Sequence, residues 1–76
     1  MFINITVESD GTRRDIRIDS EQKIKDGLFV LRQSGRLPMG SSPDYFQSRL
    51  NQRPVSAHKT FSEEGVFDGD ILTAII

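Results

Sequence analysis

The sequence predicts an α+β domain in which a mixed four- to five-stranded sheet packs on one α-helix. Three observations carry that expectation. Two alternating segments at the start flank an Asp10-Gly11 pair, one amphipathic segment follows, and residues 71–76 form an apolar, β-branched run. An amphipathic helix must bury its stripe against an apolar sheet face, so helix and strands belong to one two-layer unit. Seventy-six residues allow a single domain, expected over 1–76.

Residues 1–8 place Met1, Ile3, Ile5 and Val7 on one side and Phe2, Asn4, Thr6 and Glu8 on the other. That is the period of a half-buried strand. Ser9-Asp10-Gly11-Thr12 tolerates the positive φ of a tight hairpin turn. Residues 13–18 alternate again, with Arg14, Ile16 and Ile18 on one face, so the first two strands are expected to be an antiparallel pair. Asp19-Ser20 breaks the pattern and reads as a helix N-cap, with Glu21 in the first turn where negative charge suits the helix dipole. Ile24, Leu28 and Leu31 are spaced i, i+4, i+7 and make one apolar stripe, which Phe29 and Val30 widen. Gly27 inside a helix costs about 1 kcal/mol relative to Ala, which a close approach of helix to sheet would explain. Gly35 reads as the C′ residue, with Arg32 and Arg36 suited to the negative end of the dipole.

Residues 37–44 hold Pro38, Gly40, Ser41, Ser42 and Pro43 and read as a loop. Residues 45–50 read as a third strand with Phe46, Ser48 and Leu50 on one side. Asn51-Gln52 is a turn, and Pro54-Val55 a short edge strand, where proline has no ladder bond to donate. Residues 60–66 form a turn or helical turn carrying Phe61 and Val66 inward. Asp68-Gly69-Asp70 makes another turn before the last strand. The first and last strands are the most apolar and are expected to be central neighbours. These are the parts of a β-grasp domain.

Composition removes several function classes. The chain has no cysteine, which excludes disulfides, Fe–S clusters and thiolate zinc sites. One histidine, His58, cannot build a histidine metal site alone, and no cofactor is expected. Lys plus Arg is 10 against 11 for Asp plus Glu, without the basic excess of a nucleic-acid binder. No window approaches the run of about 18 apolar residues that a membrane span needs, so no direct membrane insertion is expected. Residues 1–5 lack a basic leader region and a cleavage site and read as a native start. A cytoplasmic location is expected, in keeping with the lack of cysteine.

The segment Thr60-Phe61-Ser62-Glu63-Glu64-Gly65-Val66-Phe67-Asp68-Gly69-Asp70-Ile71-Leu72 sets an apolar residue, a short polar turn, a glycine before an aliphatic residue, then Gly-Asp and the last strand. In this arrangement, as in layout and length, the chain resembles ubiquitin-like domains. Within that superfamily it is closest, over nearly its whole length, to the small YukD/EsaB-like proteins encoded with Gram-positive type VII (WXG100) secretion systems. The spacing from Tyr45 through Gly65-Val66 to Asp68-Gly69-Asp70 carries that resemblance. It implies a ubiquitin-like β-grasp fold and a bacterial, cytoplasmic accessory protein that contacts the secretion machinery as a non-conjugated protein-binding module.

Other chemistries fit less well. A ubiquitin-like modifier or sulfur carrier requires a flexible tail ending in Gly-Gly, and the sequence ends Thr73-Ala74-Ile75-Ile76. A catalytic role for His58 beside Ser56 or Ser62 requires an orienting group and a cleft, so no catalytic residues are expected. Asp68 and Asp70 lack the ligands that an EF-hand spreads over about twelve residues, and they read as turn formers. Arg13, Arg14 and Arg17 read as a charged strand that discourages edge pairing, with phosphate or an acidic partner as the alternative.

The outer sheet face is expected to carry Phe2, Asn4 and Thr6, then Tyr45, Gln47 and Arg49, then Ile71, Thr73 and Ile75. By the resemblance, Gln47 stands where ubiquitin has the centre of its apolar patch. A polar residue there implies that ubiquitin's own receptors do not recognise this chain. Phe2, Phe67, Ile71 and Ile75 exceed what a one-sided sheet requires, and clustered exposed apolar residues mark contacts. The candidate protein-binding set is therefore Phe2, Tyr45, Gln47, Phe67, Ile71, Thr73 and Ile75, for a foreign protein or a homodimer.

Overall fold

A computed structural model describes residues 1–9, 11–35 and 43–75. The two alternating segments form β1 (Phe2–Ser9) and β2 (Thr12–Asp19), antiparallel, with Phe2 opposite Asp19 and Ser9 opposite Thr12. Then come α1 (Ile24–Gln33), β3 (Tyr45–Ser48), β4 (Arg53–Ser56) and β5 (Ile71–Ile75). The strands make one mixed sheet ordered β2-β1-β5-β3-β4. β1 and β5 run parallel, with Thr6 beside Ile71 and Glu8 beside Thr73, and β3 pairs antiparallel with both β4 and β5. The two most apolar strands are central neighbours, as expected, and Pro54 sits on the edge strand β4.

The core lies between sheet and helix. Ile3, Ile5 and Val7 of β1, Ile18 of β2, Phe46, Val55 and Leu72 point inward against Ile24 and Leu28. Phe61 and Val66 are fully enclosed beside them, each inward as the sequence predicts. Burying a side chain of this size contributes roughly 1.5–3 kcal/mol. Gly27 lets the helix come close: a Cβ there would stand 2.5 Å from Ile18 Cδ1. At the far end Gly35 adopts φ 74° and donates to Arg32 O, the geometry of a C′ residue.

The helix start differs from expectation. It begins at Ile24, with Lys23 in the cap position and no side-chain cap bond. Helix termini need acceptors, and these need not be side chains. Here backbone carbonyls after β4 supply them: Ile24 N–H donates to Lys59 O (2.9 Å) and Lys25 N–H to Ala57 O (2.8 Å). Asp19 instead closes the bend between β2 and α1, its Oδ1 accepting from Glu21 N–H (3.1 Å) and from the Met1 ammonium (3.2 Å). These two bonds, the Glu21 one foremost, hold the Asp19 carboxyl below its usual range. Glu21 lies outside the helix, and Asp26 is the acidic residue of the first turn.

Four apolar side chains expected inside, Met1, Phe29, Val30 and Leu50, are exposed, Met1 because it precedes β1. Phe29 and Val30 do not widen the stripe. At about 100° per residue they stand roughly 140° and 120° around the helix from Ile24, beyond the sheet's reach. Leu50 is exposed because β3 ends at Ser48, where Gln52 N–H turns back to Ser48 O (2.9 Å) and the alternation stops. Asp10 of the hairpin turn, Arg36, most of the loop expected over 37–44, and Ile76 lie outside the described residues.

Candidate protein-binding surface

The pleat decides which side chains reach the outer face. On β5 Leu72 points into the core, so Ile71, Thr73 and Ile75 point away from it. On β3 Phe46 and Ser48 are buried, so Tyr45 and Gln47 point outward. The register then sets Tyr45 opposite Ile75 and Gln47 opposite Thr73. Opposed side chains on one face have Cβ atoms about 5 Å apart and make direct neighbours. A shallow hollow beside them is lined by Gln47, Arg49, Gln52, Ile71 and Thr73. Thr73 Oγ1 donates to Glu8 Oε1 (2.9 Å), tying the hollow to β1. The result is an open surface with two apolar anchors, Tyr45 and Ile75, beside amide, hydroxyl and guanidinium groups. Such a mixture suits protein contact, where anchors provide affinity and polar neighbours fix orientation.

The seven sequence-predicted residues fall into two groups. Tyr45, Gln47, Ile71, Thr73 and Ile75 are contiguous on β3 and β5. Phe2 lies away from them: since Thr6 stands beside Ile71 and the strands are parallel, Phe2 is level with residue 67. At about 3.3 Å per residue, that end is roughly 26 Å along the sheet from Ile75. Phe67 joins Phe2 at this end, where Asn4 N–H donates to Asp68 Oδ1 (2.7 Å) and Gly69 N–H to Asn4 O (2.8 Å). Phe2 carries the Arg17 guanidinium over its ring, 5.3 Å from the centroid. Gln52 was not among the predicted residues. Its φ of 53° in the turn after β3 turns it toward the hollow. The Asn51-Gln52 turn signal was present in the sequence but gave no hint of direction.

The aspartates weighed as metal ligands hold hydrogen-bond donors. Asp70 is fully buried and accepts from Ser48 Oγ (2.6 Å), Leu50 N–H (3.1 Å) and Ile71 N–H (2.7 Å). Asp68 holds Asn4. His58 is exposed, with Nε2 3.1 Å from Asp44 Oδ1, itself exposed, and with its backbone N–H donating to Ser56 Oγ (3.2 Å). Among the described residues no three His, Asp or Glu side chains are grouped to hold a metal ion. Among those residues, too, no helix is long and apolar enough to cross a membrane.

Helix, sheet order and the buried Phe61–Val66 turn together define the class: this is a ubiquitin-like β-grasp fold. No protein-family model and no curated protein matches the sequence. Among solved structures the chain is similar to the EccD5 ubiquitin-like domain from Mycobacterium xenopi, with a TM-score of 0.60 and 18% identity over 99% of this chain and 93% of that one. At that identity the likeness is one of fold.

Proposed function

We infer that the chain is a protein-binding module of a type VII secretion system, acting at the cytoplasmic side through the β3–β5 face. The observation that carries this reading is the end-to-end likeness to the ubiquitin-like domain of EccD5, a type VII secretion component. The sequence resemblance to YukD/EsaB-like proteins points the same way. Binding rather than catalysis is supported by the open Tyr45–Ile75 surface and by His58, whose side chain meets, among the described residues, an exposed carboxylate. The partner is a protein of the secretion machinery.

The test is co-purification of the tagged chain with the membrane complex of its own secretion system. Ile75→Asp sets a charge on the anchor of an outward face and leaves the core untouched. It should keep the fold by circular dichroism and weaken association at least about tenfold, as expected of a central contact residue. Association unchanged by Ile75→Asp would remove the β3–β5 face. A chain that never co-purifies with the complex would remove the secretion reading.

A further inference from the structure

β2 is an edge strand, and its free edge carries a charge pattern with an unusual property. Thr6 N–H donates to Asp70 O and Gly69 N–H to Asn4 O, so the even-numbered residues of β1 face β5. The odd-numbered residues of β1 therefore face β2, and by the register their partners are Thr12, Arg14, Ile16 and Ile18. The ladder continues in the same phase, with Ser20 N–H donating to Met1 O (2.7 Å). Among the described residues, the backbone groups of Arg13, Asp15, Arg17 and Asp19 are thus left facing an edge that no strand pairs, apart from Asp19 O, which takes Gln22 N–H (3.1 Å). The same four residues alternate in charge along the outer face: plus, minus, plus, minus.

We propose that β2 pairs antiparallel with β2 of a second copy of this chain, about a twofold axis through Ile16. Pairing of outward-facing backbone groups requires these four residues to meet one another. With the axis at Ile16, Asp15 stands opposite Arg17 of the second copy and Arg13 opposite Asp19, and the symmetry repeats both pairs. An axis at Asp15 sets Arg13 against Arg17 and Asp15 against itself. An axis at Arg17 sets Asp15 against Asp19 and Arg17 against itself. Axes nearer the strand ends leave much of it unpaired. A charged edge ordinarily guards against pairing. Axes at Arg14 and Ile18 also bring opposite charges together, Arg13 with Asp15 or Arg17 with Asp19, but they pair only one end of the strand; the Ile16 axis is the one that engages all four charges in opposite pairs.

The inner face fits the same axis. Ile16 meets Ile16 of the second copy, above a groove between β2 and α1 made of two hollows that share Arg17 and Leu31, one lined also by Ile18 and Val30 and the other by Ile16. Val30 is exposed and Ile16 and Leu31 half-buried in the single chain. Arg14, which has no ion-pair partner among the described residues, comes opposite Ile18, where its aliphatic stem covers the groove. The two sheets become one, with both helices on the same side.

The experiment is sedimentation equilibrium of the full chain from micromolar to millimolar concentration, with circular dichroism to establish that each variant folds. The wild-type chain should dimerise. Arg17→Asp and Asp15→Arg should each raise the dissociation constant about a hundredfold, since each sets like charges face to face in two places. The two single variants mixed together should dimerise again, and so should the double variant Asp15→Arg/Arg17→Asp, because both restore opposite pairs. A wild-type chain that stays monomeric at millimolar concentration overturns the proposal and leaves a foreign strand as occupant of this edge. Single variants that dimerise as well as wild type, or folded singles whose mixture fails to associate, overturn the register.

Discussion

Gly27 illustrates how one residue sets the spacing of two layers. Alanine there would gain about 1 kcal/mol of helix propensity. Its Cβ would also meet Ile18 Cδ1 at 2.5 Å and Cγ1 at 3.3 Å, inside a packed core. Overpacking of this kind costs typically 1–3 kcal/mol and outweighs the gain. Gly27→Ala is therefore expected to destabilise the protein by about 1 kcal/mol in urea unfolding, the difference of these terms. In an Ile18→Val background the Cδ1 atom is gone, and the same substitution should become neutral or stabilising. Stabilisation by Gly27→Ala in the unaltered background would refute the close-approach account. Asp70 shows the complementary case, a buried charge that the sequence read only as part of a turn. Its carboxylate binds Ser48 and two backbone N–H groups, while Asn51 Nδ2 donates to Ser48 Oγ (3.0 Å) and to Gly65 O (2.8 Å). A buried carboxylate is tolerated where its lone pairs are met in this way. Burial of that residue depends on long-range packing, which no local pattern around Asp68-Gly69-Asp70 reveals.

At the level of elements, the turn after β4 is held by a reciprocal pair. Thr60 N–H donates to Glu63 Oε1 and Glu63 N–H to Thr60 Oγ1, both at 3.0 Å, the capping-box arrangement. The Thr60-x-x-Glu63 spacing was legible in the sequence, although the expectation stopped at a helical turn. The Thr60 bonds hold the Glu63 carboxyl below its usual range. A carboxyl depressed in the folded state contributes stability above its unfolded pKa, about 4.3, and that contribution is lost as pH falls through the folded value. Glu63→Gln keeps an acceptor for Thr60 N–H and removes the titration. Wild type should therefore exceed Glu63→Gln in stability at pH 6, and the gap should close in the acid range below about pH 4. A gap unchanged between pH 6 and 3 would contradict the assignment. The helix offers the opposite lesson. Its stripe and its C′ glycine were readable because period and φ are local properties. Its start was not, because the acceptors for its first N–H groups come from Ala57 and Lys59, more than thirty residues away in sequence.

In the whole molecule, the central place of β1 and β5 followed from which segments were most apolar, the β1–β2 pairing from alternation around Asp10-Gly11, and the outer face from the pleat; the pairing of β3 with β4 and β5 had no signal of its own in the sequence. What the sequence could not supply was distance along the sheet. Phe2 and Ile75 share a face on paper, and only the parallel β1–β5 register separates them. The same register keeps the two proposed contacts apart. The edge of β2 and the β3–β5 face are divided by β1, and at about 4.8 Å per strand β5, which carries Ile75, lies roughly 10 Å from β2. Glu8 joins Arg13 (3.3 Å) to Thr73 (2.9 Å), but neither Arg17 nor Ile75 takes part in that link. Arg17 stands opposite Asn4 and Ile75 lies four residues beyond the Thr6 partner Ile71, so the two are further separated by roughly 20 Å along the strands. Substitutions this far apart act additively. Ile75→Asp is therefore expected to weaken partner association and leave self-association unchanged, while Arg17→Asp does the reverse. The double variant should lose both by the sum of the single effects. Salt separates them further, because self-association rests on exposed ion pairs screened beyond about 10 Å at 0.1 M ionic strength. Raising salt should weaken the dimer more than the Tyr45–Ile75 contact, which rests on apolar anchors. Measuring both equilibria for the four proteins at low and high salt decides the matter: a coupling between the substitutions well above 0.5 kcal/mol, the usual limit of additivity, would mean that one surface serves both contacts.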